Sequence, residues 1–243
     1  MKNNNVRSFS SENKIRKDCF NASIVADSTF DGFYDMPLIG QKTIIVPERL
    51  VSYEKIKNHN YEGIEFVHFY IDDYKFDGLL GLWSTIKNGT NAKRGFNIHR
   101  FDGASGIITP DYSLYLDMPI AMQIWNTYRN RAIGHYLSQK GYYVVPNVRW
   151  SDDESYDFAF SGIEKNGIVS VGTNGCYKRK ADKYLFEKGF IEMIKRLKPV
   201  FIIIYGAVSS KLIAIMKINN IRWKQFDSET HMYFKEKQYG IKC

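Results

Sequence analysis

Carboxylates stand just past several short apolar runs of this sequence, where a ligand would meet the ends of β-strands. Asp72 and Asp73 follow the run over residues 64–71, Asp111 and Ser113 follow 106–109, and Asp152 follows 142–148. Asn174 lies past 167–172, and Tyr205 closes 200–205. Carboxylates from separate strand ends can hold Mg²⁺, a hard cation that prefers oxygen ligands. Such an ion polarises a phosphate and generates hydroxide. Asp72, Asp73, Asp111 and Asp152 are the candidate ligands for it. Alternatively, a carboxylate in an apolar setting serves as general acid or base, and Asp111, Ser113 and Asp152 are the candidates for that chemistry. Each aspartate also has a structural use. Asp after a strand caps the free N–H groups of the next helix, and Asp111 after Pro110 suits a turn.

Arg129 and Arg131 add cationic candidates. Two positions apart on a helix, they point to different faces. One is expected in solvent, and the other can reach over the strand ends to a carboxylate or phosphate. The segment 87–100, with Lys93, Arg94 and Arg100 among glycines and amides, suits contact with a nucleic-acid backbone, and more simply an ordinary solvated loop. Trp150 and Tyr205 could stack on a ligand ring, with Asn174 as a polar neighbour. Other chemistries lack their motifs. The five histidines show no HxH or HExxH spacing, which excludes the common zinc sites. No GxSxG elbow and no Walker or Rossmann glycine spacing is present. Cys19, Cys176 and Cys243 are far apart with no CxxC, so neither a zinc ribbon nor a disulfide framework is indicated.

The elements that must position these residues alternate. Strands are expected over 43–46, 64–71, 106–109, 142–148, 167–172, 200–205 and 221–226. The clearest helix runs over 119–141. Pro119 stands near its first position and Gly141 closes it, with an apolar stripe through Ile120, Ile124 and Tyr128 flanked by Trp125 and Tyr136. A basic helix over 180–197 stops before Pro199, and a short one follows Ser209 or Ser210. This pattern predicts an α/β fold of repeated strand–helix units around a mainly parallel sheet. The sheet is either barrel-like, and incomplete with seven strands, or open and doubly wound. Both architectures bind ligands at the C-terminal ends of the strands. Residues 1–18, rich in Asn and Ser, are expected to be a flexible tail, and 19–243 a single α/β domain.

Composition bounds the class. Of the 243 residues, 44% are hydrophobic and 25% charged, which suits a globular chain rather than a disordered one. The first residues lack the apolar segment of a signal peptide. The longest strongly apolar run is far below the ~20 residues that span a bilayer, so a cytoplasmic protein without a membrane partner is expected. The formal charge is +8. Residues 174–243 carry 15 Lys/Arg against 6 Asp/Glu. A basic surface favours polyanions through counterion release, so nucleic acid is the expected partner.

Several stretches together carry a resemblance: Phe-Tyr-Ile-Asp-Asp-Tyr at 69–74, Thr-Pro-Asp-Tyr-Ser-Leu-Tyr at 109–115 with Asp-Met-Pro at 117–119, and Gln-Ile-Trp-Asn-Thr-Tyr-Arg-Asn-Arg at 123–131. Val-Pro-Asn-Val-Arg-Trp at 145–150, Phe-Ser-Gly-Ile at 160–163 and Tyr205-Gly206 continue it. Over residues 64–207 the chain resembles an uncharacterised family of proteins carried by bacteriophages, plasmids and integrative elements. The resemblance implies a mobile-element protein and carries no assigned catalytic residues. With the strand-end carboxylates it leads to an expected role on nucleic acid or nucleotides, as metal-dependent phosphodiester hydrolysis or as base or nucleotide modification. A non-catalytic nucleic-acid-binding or replication-accessory protein, and an inhibitor of a host defence protein, are the alternatives. The residues alone leave open whether the chain is catalytic.

Overall fold

The structure, a computed structural model, describes residues 20–87, 95–229 and 231. The expected tail over 1–18, and Lys93 and Arg94, lie outside the described residues. A short antiparallel hairpin, β1 (Phe30–Asp31) and β2 (Met36–Pro37), precedes the main sheet. Strands β3 (Arg49–Ser52), β4 (Glu65–His68), β5 (Gly106–Ile108) and β6 (Val144–Val145) then pair in parallel and in chain order. Strands β7 (Ile168–Gly172), β8 (Phe201–Tyr205) and β9 (Arg222–Phe226) do the same. A parallel bridge between Asn147 and Ser170 joins the two groups. There the Val148 N–H donates to the Ser170 carbonyl at 2.8 Å, and the Ser170 N–H to the Pro146 carbonyl at 2.9 Å.

Seven parallel strands therefore lie side by side in the order of the chain, and the sheet they form is curled. Phe66, Ile108, Val145, Ile168, Phe201 and Ile203, drawn from five strands, pack into one buried interior cluster. Their neighbours along the strands, such as Val67, Ile107, Val169 and Ile202, belong to two other clusters on the outside. Alternate side chains thus go in and out, and both sides are apolar. This is why the strands read as continuous apolar runs rather than alternating ones. Among the described residues no strand pairing joins β9 back to β3, so the barrel is left open at that seam. Side chains span it. The Lys224 ammonium donates to the Pro47 carbonyl at 2.9 Å, and Lys55 pairs with Glu229 at 2.7 Å.

Two expectations need correction. Residues 43–46 form no strand, and the first strand of the sheet is β3. Pro47 has no N–H to give to a ladder. Ile44, Ile45 and Val46 instead pack against the interior cluster, where the Tyr143 hydroxyl receives the Ile45 N–H at 3.2 Å and donates to the Thr43 carbonyl at 2.6 Å.

The second correction concerns the helices: α1 (Asp73–Phe76), α2 (Leu82–Thr85), α3 (Ile120–Gln139), α4 (Tyr156–Ala159), α5 (Lys180–Leu197) and α6 (Ser210–Ile218). The apolar stripe expected to bury α3 does so only in part: Ile124, Tyr128 and Tyr136 pack against the core clusters, but the N-terminal end of the stripe does not. Ile120 and Trp125 are exposed, while Gln123, Asn126, Thr127, Asn130 and Arg131 are buried. The inward polar side chains donate to carbonyls of the loops after the strands, as buried backbone requires. Gln123 donates to the carbonyls of Tyr115 and Met118, Asn126 to that of Ser113 and Asn130 to that of Pro110. No helix among the described residues is long and apolar enough to cross a membrane.

Candidate functional site: a cleft at the strand ends

A cleft of about 1470 Å³ opens over the C-terminal ends of β3 to β9, each of which or its following loop contributes to the wall. Tyr70, two residues past β4, and Tyr205, the last residue of β8, line it from below. Trp150, Asn174 and Cys176 lie along its sides.

Asp111 stands in this cleft with its side chain 13% exposed. One carboxylate oxygen accepts from the Asn147 amide at 2.7 Å, and the other from the Arg149 guanidinium at 3.2 Å. The Asp111 charge in turn raises the Arg149 pKa above its ordinary value. Asp73 enters the same cleft at the start of α1. Its two oxygens accept from the Ser113 N–H at 3.1 Å and the Ser113 hydroxyl at 3.0 Å. Burial pushes the Asp73 pKa up, the two Ser113 bonds oppose that, and the Asp111 charge adds to the rise. Two carboxylates from adjacent strands thus share one cleft in unlike surroundings. Cys176 is a free thiol there, and burial raises its pKa, so it is not an activated nucleophile.

Behind Asp111 lies a chain of buried hydrogen bonds. The Thr109 hydroxyl donates to the Asn130 side-chain oxygen at 3.1 Å and accepts from the Asn147 N–H at 2.8 Å. Arg131 donates to Asn130 and to the carbonyls of Asn147, Ala159 and Ser161. The segments 109–115, 123–131 and 145–150 therefore meet in space to hold the Asp111–Arg149 pair in place.

These same segments fall within a family match. A family model described as a domain of unknown function, DUF4417, matches residues 28–227. The chain belongs to the DUF4417 family. The matched region is wider than the 64–207 over which the sequence showed its resemblance. The DUF4417 chain is also 30% identical over 175 residues to the Gene 1 protein of Mycobacterium phage D29, covering 71% of this chain and 60% of that protein. It is 31% identical over 175 residues to the Gene 1 protein of Mycobacterium phage L5, covering 71% of each. The chain thus spans less than two thirds of the D29 protein. No solved structure matches.

The DUF4417 fold brings some of the candidate residues together and separates others. Asp72, Asp73, Asp111, Ser113, Trp150, Asn174 and Tyr205 line the cleft. Asp152 does not: it precedes the turn Asp153–Ser155, with no hydrogen bond from its side chain to that turn's backbone. Among the described residues no three His, Cys, Asp or Glu side chains converge as a metal-ligand group. Of the four candidate Mg²⁺ ligands, Asp72, Asp73 and Asp111 share the cleft and Asp152 lies apart from them. Neither helix arginine reaches the cleft. Arg129 pairs with Asp77 and lies over the Tyr112 ring at 4.0 Å. Arg131 is 1% exposed and locked among carbonyls, and burial lowers its pKa to about 9. Arg100 also lies off the cleft, its carbonyl accepting from the Tyr61 hydroxyl at 3.2 Å. Trp150 is mostly packing, stacked on Phe186 at 5.3 Å.

Sequence reasoning passed over Asn147, Arg149 and Tyr70. A signal for the first two was present. Asn147 and Arg149 are polar residues two apart at the end of a strand run, so they share one face just where Asp111 arrives.

Proposed function

We propose that this DUF4417 protein is an enzyme acting on nucleic acid or nucleotides by acid–base catalysis in the strand-end cleft, with Asp73 as the acid and Asp111 as the base. The observation that carries this reading is the pair itself: two cleft carboxylates, one raised in pKa by burial and the other facing an amide and a guanidinium. Carboxylates with unlike surroundings divide acid and base roles between them. Each Asp111 oxygen accepts one bond and retains a further lone pair, so it can still take a proton. Water attacks the substrate as Asp111 accepts its proton. Asp73 gives a proton to the leaving atom, and proton return from Asp111 to Asp73 closes the cycle. The net charge of +8 and the phage relatives favour nucleic acid or a nucleotide as substrate. This reading routes no step through a metal ion.

The test is turnover of labelled DNA, RNA and nucleotides by the purified chain and by the D73N and D111N variants. Each variant is expected to lose about 10²–10⁴-fold in rate, the usual worth of a positioned acid or base. Full activity in D111N that remains folded would overturn the assignment.

A second reading, a nucleic-acid-binding protein without catalysis, is favoured by the run of bases Lys178, Arg179 and Lys180 after β7. It predicts steep salt dependence of affinity, about one unit of log–log slope per phosphate contacted, with no product formed at any salt concentration.

A further inference from the structure

The protein as a whole is basic, but its cleft is not. Seven Asp/Glu residues line it against four Lys/Arg. One of the four, Arg149, is already engaged by Asp111. A phosphodiester seated over Asp73 and Asp111 would meet two carboxylates at short range, and like charges juxtaposed in a cleft cost several kcal/mol. The floor offers something different. Tyr70 and Tyr205, both buried, stack on each other with ring centres 4.7 Å apart and close the bottom of the cleft. Tyr74 and Tyr115 stand 77% and 57% exposed in the walls. Aromatic faces beside fixed hydrogen-bonding groups suit a flat, uncharged ring.

Two of the four cations stand together at one edge. Past β7 the chain runs Asn174, Gly175, Cys176, Tyr177, Lys178, Arg179 and then Lys180, the first residue of α5. Lys178 and Arg179 line the cleft rim. Arg179 is held by Asp182 at 2.8 Å, whereas Lys178 makes no ion pair among the described residues. The N-terminus of α5, an 18-residue helix, opens at this edge, and no side chain of its N-cap residue closes it. Asp182 already supplies a carboxylate in the first turn of this helix.

From this division, and resting on the acid–base reading above, we infer that a nucleotide sits with its base inside the cleft and its phosphate outside. The base lies against the exposed rings of Tyr74 and Tyr115, within reach of Asp73 and Asp111. The phosphate lies on Lys178 and Arg179 at the rim. The bond under attack then belongs to the base or its link to the sugar, and not to the phosphodiester.

Calorimetry with the full chain tests the orientation, using adenosine, guanosine, cytidine, uridine and thymidine, their 5′-monophosphates, and inorganic phosphate. At least one nucleoside is expected to bind, and its monophosphate about tenfold more tightly, the factor of one charge-assisted contact of ~1.4 kcal/mol. The K178A/R179A variant is expected to lose that tenfold gain. The D111N variant is expected to weaken nucleoside and monophosphate by the same factor. Displacement of a bound monophosphate by inorganic phosphate, with no nucleoside binding, overturns the orientation. If an oligonucleotide is nonetheless cleaved in an Asp111-dependent manner at its phosphodiester, the acid–base reading survives without the orientation. If no nucleoside binds and nothing is turned over, both fall.

Discussion

Tyr70 lies flat on Tyr205, with ring centres 4.7 Å apart and planes 11° apart, although β5, β6 and β7 separate their strands in the sheet. Only a rolled sheet brings the ends of β4 and β8 together, so this contact fixes both the barrel's curvature and the floor of the cleft. The Tyr70 hydroxyl is tied on the far side to Ser170 at 2.6 Å and Asn147 at 3.1 Å.

Gly172 is what lets the Tyr70 ring pass. A Cβ built on Gly172 would lie 2.6 Å from that ring. Gly172→Ala is therefore expected to push Tyr70 off both partners and cost about 1–3 kcal/mol, the range of an overpacked core. Urea unfolding measures it. A loss below a few tenths would mean that the interior has slack at this point.

His68 supplies a pH test. It is buried under Tyr205, with ring centres 4.6 Å apart, and accepts the Tyr70 N–H at Nδ1. Burial lowers its pKa from 6.5 to about 3. Below pH 6.5 the unfolded chain takes up a proton that the folded chain refuses. Stability is thus fully present above pH 6.5 and is lost as pH falls toward 3, with a slope approaching about 1.4 kcal/mol per pH unit. Urea titrations between pH 7.5 and 4 are expected to show this slope and to lose it in His68→Asn. An unchanged slope in that variant would place the acid sensitivity elsewhere.

Ser113 gives a test that separates chemistry from folding. Its two bonds hold down a carboxyl that burial pushes up. Ser113→Ala removes the hydroxyl bond and leaves the N–H bond, so the Asp73 pKa rises further. A general acid must be protonated, so the rate falls as pH rises through its pKa. The falling limb of the rate profile is expected to move to higher pH in Ser113→Ala and to disappear in Asp73→Asn. A limb that stays in place in both variants would remove Asp73 from the acid role.

Much of the arrangement was legible in the sequence, for definite reasons. A strand buried on both faces, such as Phe201–Tyr205, needs apolar residues throughout and reads as one. Asp73 and Asp111 were legible because a parallel sheet gathers its strand ends on one side. The inward face of α3 was hidden by the assumption that apolar means buried. Gln123, Asn126, Thr127 and Asn130 recur at helical spacing as clearly as Ile120, Ile124 and Tyr128, and they face in over the first half of the helix, with Ala132, Ile133 and Leu137 buried beyond them. Polar residues win there because the facing surface is made of loop carbonyls rather than side chains. The stacking of Tyr70 on Tyr205 depends on curvature, which no local pattern encodes.

Asn147 offers the closest test of how the segments 109–115, 123–131 and 145–150 act together. Its N–H donates to the Thr109 hydroxyl and its side-chain amide to Asp111, while its carbonyl accepts from the Arg131 guanidinium and its side-chain oxygen from the Tyr70 hydroxyl. It is 1% exposed and lies outside the cleft lining, so it acts through Asp111 as a positioning residue. Asn147→Ala leaves Asp111 held by Arg149 alone and free to swing. The expected result is a kcat about tenfold lower with KM nearly unchanged, as for an interaction that matters only in the transition state. Ser170→Ala is the control. It removes a buried partner of the same Tyr70 hydroxyl, has no bond to Asp111, and is expected to lower stability by about 1 kcal/mol while sparing kcat. If the two variants lose stability and kcat in parallel, Asn147 is a packing residue and the interlock does not serve catalysis. If only Asn147→Ala loses kcat, the bonds from Thr109, Asn130 and Arg131 serve to aim one carboxylate.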